Sequence, residues 1–155
     1  MKLLFLLLLS LACTATISGQ TDNVPAVPTG IKFENRENIP NAPRCNASEA
    51  YIKKKVKAHL ANYYTEYPHI AVDFSSFKAQ HGYNDKEDPQ KIIYPYKIEM
   101  LVYLKRPIVK EGKEYTEYSI WKYDCVYEYA SKPGKKCEFN LVPSSQKILV
   151  TRQEF

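Results

Sequence analysis

The segment Tyr94–Leu104, "YPYKIEMLVYL", decides the fold class. From Tyr96 onward, a large apolar residue occupies every second position, and Lys97 and Glu99 fall between them. Side chains of a β-strand point alternately to its two faces, so a period of two is typical of a strand with one face in a core. We therefore predict that this segment is the strongest strand of an antiparallel sheet.

Further strands are indicated on both sides of this segment. Residues 70–74 alternate in the same way, and "EYTEYSIWKYDCVYEYA", 114–130, is long enough for two strands or one bent strand. Two turn signals bound the latter segment: "KEGK", which contains Gly112, and "SKPGKK", which centres on Pro-Gly. The chain closes with two more segments of strand character, 137–142 as a closing strand and 143–155 as an edge strand or a tail.

One helix is predicted before the strands. Asn46 and Glu49 have the spacing of a capping box, in which two side chains satisfy the free amide groups at a helix start. The residues that follow form one stripe at helical spacing. They are Ile52, Val56, His59, Leu60 and Tyr63. The expected architecture is α+β, with one amphipathic helix packed on a twisted antiparallel sheet of four to five strands.

The first nineteen residues, "MKLLFLLLLSLACTATISG", are typical of a secretory signal peptide. The segment has the three parts of a signal peptide in their usual order. These are a positive start at Lys2, an apolar run of about nine residues, and small residues up to Gly19. The run is too short to span a membrane, which takes about twenty residues. We predict a secreted monomer with an extended or disordered lead-in at 20–43, one domain at 44–142 and the tail at 143–155.

Three cysteines remain after removal of the signal peptide, in a compartment that favours disulfides. Cys45 and Cys137 enclose most of the patterned sequence, so this pair is the preferred bridge. The alternative, a bridge between Cys45 and Cys125, stays open. Asn46 begins an N-glycosylation sequon, Asn-Ala-Ser, and a glycan there would compete with the helix cap.

Composition and motifs exclude several kinds of site. The three histidines lack metal-site spacing, and the chain has no Cys-x-x-Cys pair and no glycine-rich phosphate loop. We therefore predict no metal and no cofactor. The formal net charge of +5 permits contact with a polyanion without requiring it. Thirteen tyrosines suit both a pleated sheet and the stacking of bases.

Five features follow one another along the chain. They are a cysteine, an amphipathic helix, Tyr67-Pro68-His69 at the start of a strand, a glutamate-bearing strand, and a late hairpin with a closing cysteine. This order resembles that of the small secreted guanine-specific ribonucleases of fungi, over Cys45 to Phe139. It resembles one offshoot more closely, the ribonuclease-like effectors that powdery mildew fungi secrete. The resemblance implies a ribonuclease-like fold and action inside a host plant cell, generally without the catalytic residues.

The resemblance also implies which residues to compare with an active ribonuclease. Active members use a glutamate, two histidines and an arginine, and here His69 matches the first histidine and Glu99 the glutamate. Tyr118 stands where the arginine is expected, and Glu128 lies where the second histidine is expected. Because loss of a positioned acid costs about 10²–10⁴ in rate, we predict a pseudo-ribonuclease that is not an enzyme.

The remaining groups are interpreted as a binding site. The predicted groove consists of Tyr67, His69, Tyr96, Glu99 and Tyr103. The predicted basic contacts are Lys97, Lys122, Lys132, Lys135 and Lys136. The partner that the resemblance implies is a host plant protein, such as an immune receptor, or host RNA, reached after delivery into the host cell.

Other interpretations stay open. His69 is also explained as an inherited residue at a strand start that hydrogen-bonds locally. An RNA-binding protein or a weak secreted ribonuclease would use the same groove. A cystatin-like protease inhibitor also lays a helix across an antiparallel sheet, although the Gln-x-Val-x-Gly loop of such inhibitors is absent.

Overall fold

The computed structural model describes residues 28–41, 46–142 and 146–155. Its helix, α1, spans Glu49–Tyr63. The strands are β1 (Glu34–Asn35), β2 (His69–Ala79), β3 (Tyr83–Asn84), β4 (Ile92–Lys110), β5 (Lys113–Ser131), β6 (Glu138–Leu141) and β7 (Gln146–Glu154). These elements confirm the predicted α+β class. The predicted signal peptide lies outside the described residues.

The strands form one antiparallel sheet with the order β1-β2-β4-β5-β6, in which β3 also pairs with β4 and β7 also pairs with β5. The described residues thus contribute seven strands, and the expected number of four to five was too low. Two of the strands, β1 and β3, have only two residues each, too few to show an alternating pattern. The segment at 114–130 forms one long strand and not two.

A tight turn sets the register of the two longest strands. Only Glu111 and Gly112 separate β4 from β5, and both have positive φ, 50° and 76°. Positive φ at both central residues is the requirement of a type I′ turn, whose twist matches that of the flanking strands. The strands pair without interruption from Lys110 and Lys113 at the turn to Ile92 and Ser131 at the far end.

The helix starts differently from the prediction. Its N-cap is Ser48, whose side chain makes no capping hydrogen bond. The Asn46 side chain accepts a hydrogen bond from the Ser48 amide at 2.9 Å, so it forms an Asx turn before the helix and no capping box with Glu49. From there, Ile52 and Leu60 are buried against the sheet, as the helical stripe predicted.

The sheet has a helix face, which packs against α1, and an outer face. The main core lies on the helix face and includes the apolar stripe of β4. A smaller cluster on the outer face joins Ala71, Tyr103 and Ile120, and Ile31 and Phe33 from the lead-in pack against it. The described part of the lead-in is therefore packed on the sheet, and its short strand is Glu34–Asn35.

The cysteines differ in their environments. Cys125 is free and 1% exposed, with its thiol 3.4 Å from the Ile98 carbonyl. The alternative bridge between Cys45 and Cys125 is therefore wrong. Cys137 is disulfide-bonded, and its predicted partner Cys45 lies outside the described residues, so that pairing stays a prediction.

Candidate functional site

A row of side chains crosses the outer face of the sheet at the start of β2. Residues directly opposite each other on antiparallel strands share a face and lie about 5 Å apart. His69 on β2 pairs with Lys105 on β4. Lys105 pairs in turn with Tyr118 on β5, and Tyr118 pairs with Gln153 on β7. We call these four neighbours the cross-strand row.

Aromatic rings surround the lysine of this row. Lys105 Nζ lies 5.9 Å from the centroid of the Phe33 ring and 5.8 Å from that of Tyr118. The Tyr118 ring is 6.1 Å from Phe33 and 5.9 Å from Phe155. We call Phe33, Lys105, Tyr118 and Phe155 the aromatic strip. It borders a surface depression of about 480 Å³.

Lys105 is the one formally charged side chain in the cross-strand row. Among the described residues, Lys105 forms no salt bridge, and none of the four residues of the cross-strand row is acidic. Phe155 is 70% exposed, and His69 and Tyr118 are half-buried. A cation at this position is able to bind an anionic group of a ligand. The accessible aromatic rings beside it are able to stack with a flat ring of the same ligand.

The structure does not bring His69 and Glu99 together. Glu99 pairs with Ser76 and Asp124, whereas His69 pairs with Lys105. Glu99 and Lys105 are six positions apart on β4, or about 20 Å at the rise of a strand. In an antiparallel pair, the first residue of β2 faces a late residue of β4, so the groove expected between His69 and Glu99 is not formed.

The three tyrosines assigned to that groove lie in separate places. Tyr96 faces the helix, and its hydroxyl donates to the Ala47 carbonyl at 2.9 Å. Tyr103 belongs to the outer-face cluster, and Tyr67 lies on the helix face beside Glu117. Exposure of Tyr67, Tyr96 and Tyr103 is 3%, 3% and 6%, so none of these rings is free to stack with a ligand.

The five lysines predicted to contact RNA are spread over β4, β5 and the turn after β5. They are Lys97, Lys122, Lys132, Lys135 and Lys136. Lys97 Nζ lies 3.8 Å from a carboxylate oxygen of Asp124. Lys132 Nζ lies 2.6 Å from Asp88, and the same turn borders Glu138. Asp124 and Asp88 therefore offset the positive charge of Lys97 and Lys132, two of the five lysines.

A charged cluster that the sequence patterns did not predict lies on the helix face. Glu117 is only 4% exposed, and its Oε1 accepts a hydrogen bond from the Tyr67 hydroxyl at 2.7 Å. Arg106 Nη2 donates to the other oxygen, Oε2, at 3.2 Å, and its guanidinium lies 4.7 Å from the Tyr67 ring centroid. Arg152 Nε lies 3.8 Å from Glu117 and donates to Ser119 Oγ at 3.3 Å.

The environment of Glu117 keeps it ionised. Burial raises the pKa of this carboxyl group, but hydrogen bonds from Arg106 and Tyr67 outweigh burial, so the pKa lies below its usual value. Burial also raises the pKa of Tyr67, which remains a neutral donor. Both oxygens of Glu117 are occupied by donors. The cluster therefore stabilises the fold, and its carboxylate is not free to take up a proton from a substrate.

One signal in the sequence pointed to this cluster. Arg106 and Glu117 stand five positions before Glu111 and five positions after Gly112. A two-residue hairpin turn makes residues at equal distances from it cross-strand partners. The same reasoning pairs Lys105 with Tyr118, as observed.

Within 28–41, 46–142 and 146–155, no three His, Cys, Asp or Glu side chains are grouped in a way that would hold a metal ion. Nor does any helix in the described part of the chain have the length and apolar character needed to cross a membrane.

Comparisons with known proteins found no match to this chain among protein-family models, curated proteins or solved structures.

Proposed function

We propose that this chain is a secreted, non-catalytic, ribonuclease-like effector that binds single-stranded RNA of a host plant through the aromatic strip. The observation that carries the proposal is Lys105, which forms no salt bridge with the described residues and lies between the rings of Phe33 and Tyr118. Proteins that bind single-stranded RNA stack bases on aromatic rings and hold phosphates with cations. Secretion and ribonuclease-like ancestry rest on the signal-peptide pattern and the order of the elements.

The spacing of the rings supports binding of more than one nucleotide. Phe33, Tyr118 and Phe155 follow one another at 6.1 and 5.9 Å between centroids. Each ring offers a face or an edge on the same side of the sheet as Lys105. Successive bases would contact successive rings while their phosphates approach the ammonium group.

The composition of the cross-strand row favours retention of RNA over cleavage. Cleavage needs a base near the 2′-hydroxyl group and an acid near the leaving oxygen. The cross-strand partners of His69 are Asn35 and Lys105, and Tyr118 follows Lys105, so none of these neighbours is a carboxylate. This arrangement supports a protein that binds RNA without turnover.

Binding of a fluorescein-labelled single-stranded RNA to the mature protein, measured by fluorescence anisotropy, tests the proposal. Tyr118→Leu is expected to weaken binding by at least about fivefold, because base stacking on an aromatic ring contributes about 1–3 kcal/mol. Lys105→Gln is expected to make the plot of log binding constant against log salt concentration less steep. The slope should change by about 0.7, the value for one phosphate contact with a single strand. Lys122→Gln, an exposed lysine of the outer face, is the matched control.

Three results would contradict the proposal: no binding at low salt, binding that salt does not weaken, or equal losses in Lys105→Gln and Lys122→Gln. The non-catalytic part is tested separately by incubating the mature protein with total RNA. Digestion that disappears in His69→Ala would overturn that part.

A second candidate function is the binding of a host protein to the edge strand β7. Ile148, Leu149 and Val150 are 61%, 40% and 39% exposed on this strand. An exposed apolar edge strand is able to pair with a strand of another protein. Ile148→Lys is expected to abolish such pairing and leave RNA binding unchanged. Loss of an identified host partner in this variant would favour the second candidate over the first.

A further inference from the structure

A pocket of about 380 Å³ opens on the helix face, away from the aromatic strip. It lies where the edge of the sheet changes strands, since β5 pairs with β7 as far as Asp124 and with β6 from Tyr127 onward. The C-terminal half of α1 closes the other side with His59, Leu60 and Tyr63. This volume is within the range of about 300–1,000 Å³ that is usual for small-molecule sites.

The walls of the pocket are aromatic and apolar. Leu60, Tyr123, Phe139 and Leu141 line it. The rings of Tyr127 and Phe139 are stacked at 4.9 Å with an interplanar angle of 14°. Aromatic and apolar walls favour an aromatic ligand.

One buried donor lines the pocket without an acceptor. Tyr127 is 0% exposed, and its hydroxyl makes no hydrogen bond with any described residue. Burial raises the pKa of this phenol, so the hydroxyl keeps its proton. An unpaired buried hydroxyl costs free energy, and an acceptor atom on a ligand would remove that cost.

The charge at the pocket is positive. Lys147 lines it, with Nζ 4.3 Å from the centroid of Tyr63 and 5.6 Å from that of Trp121. Burial lowers the pKa of His59, so this side chain is neutral at pH 7. No aspartate or glutamate is among the described residues that line the pocket. Among the described lining residues, the one formal charge is therefore the ammonium group of Lys147, which also donates a hydrogen bond to the Tyr63 hydroxyl.

We infer that this pocket binds a small planar aromatic carboxylate, with its carboxylate at Lys147 and a polar acceptor atom at the Tyr127 hydroxyl. Three observations on the described residues carry the inference together: the apolar walls, the buried hydroxyl that donates to none of these residues, and the single cation among the lining side chains. It is independent of the proposed RNA binding, because the pocket and the aromatic strip lie on opposite faces of the sheet and share no residue.

The probe for this inference is 6-hydroxy-2-naphthoate, which has a carboxylate at one end and a hydroxyl at the other. Titration calorimetry of the full mature protein is expected to give a Kd of about 0.1–1 mM, the usual range for a ligand of this size. The neutral amide of the probe is expected to bind at least about threefold more weakly, because it loses the charge attraction to Lys147. Lys147→Gln should remove this preference, and Lys147→Arg should restore it.

Tyr127→Phe tests the other end of the ligand. It is expected to weaken 6-hydroxy-2-naphthoate about fivefold and to leave 2-naphthoate, which lacks the hydroxyl, unchanged. A merely structural effect of the substitution would change both ligands equally. Tyr96→Phe, which loses a hydrogen bond of 2.9 Å to the Ala47 carbonyl and does not line the pocket, is the control for altered packing.

Filling the pocket gives a test that does not depend on hydrogen bonds. Leu141→Trp is expected to abolish binding while its circular dichroism and RNA binding stay those of the unchanged protein. Absence of binding to the unchanged protein at about ten times the expected Kd would overturn the inference. So would affinities that are unaffected by both Lys147→Gln and Tyr127→Phe, or full binding in folded Leu141→Trp.

Discussion

Arg106 and Glu117 face each other directly across the hairpin of β4 and β5, with Arg106 Nε 3.0 Å from Glu117 Oε1. The same carboxylate accepts a hydrogen bond from Tyr67, which lies two residues before His69. The pair therefore connects the central hairpin to the segment that enters β2. It holds the start of β2 in the position that places His69 beside Lys105.

Replacement of the buried carboxylate tests this connection. Glu117→Gln is expected to lower the free energy of unfolding by about 1–3 kcal/mol, because Arg106 and the Tyr67 hydroxyl lose a charged acceptor while remaining partly or fully buried. Urea denaturation measures the change. Glu114→Gln, an exposed position of the same strand, is the control and should change stability by less than about 0.5 kcal/mol. Equal stabilities of the two variants would contradict the connection.

The pH dependence of stability should carry the signature of Glu117. Its pKa in the folded protein lies below the unfolded value of 4.5, so the folded state binds this proton less readily than the unfolded state. The stabilisation is therefore present above pH 4.5 and is lost as pH falls through the folded pKa. Unfolding free energies measured from pH 7 to pH 3 should show the unchanged protein losing more stability than Glu117→Gln. A constant difference across this range would contradict the prediction.

The turn between β4 and β5 offers two substitutions with opposite expected effects. Gly112→Ala is expected to lower stability by about 1 kcal/mol, because φ of 76° is unfavourable for a residue with a Cβ atom. No atom lies within 4 Å of the added Cβ, so the change reports backbone strain alone. Glu111→Asn should raise stability by a few tenths of a kcal/mol or more, since asparagine tolerates positive φ better than glutamate. Thermal unfolding of both variants measures the two signs.

The thiol of Cys125 should be unreactive in the folded protein. Burial raises its pKa to about 12, and the thiolate is the reactive form. Iodoacetamide at pH 8 is therefore expected to leave Cys125 unmodified in native buffer and to alkylate it in urea, as read by peptide mass spectrometry. Rapid alkylation in native buffer would show that this part of β5 is more accessible than its 1% exposure indicates.

The sequence predicted the elements whose pattern reflects burial directly. The alternation from Tyr96 to Leu104 and the stripe from Ile52 to Tyr63 correspond to β4 and α1, because apolar side chains follow the period of the structure that buries them. Tyr63, the last residue of the stripe, is the exception, since it is 55% exposed. The two-residue strands β1 and β3 left no such pattern, so the strand count was too low. Asn46 was misread as a helix cap because asparagine also forms turns just before a helix.

By itself, the sequence determined the local structure and the hairpin register, since the Glu111-Gly112 turn makes Arg106 face Glu117 and Lys105 face Tyr118. Only the tertiary structure decided which strand lies beside that hairpin and at what offset. The register of β2 against β4 placed His69 next to Lys105, about 20 Å along β4 from Glu99. The offset between strands that are distant in sequence depends on how the whole helix-face core packs, and no short stretch of residues records it.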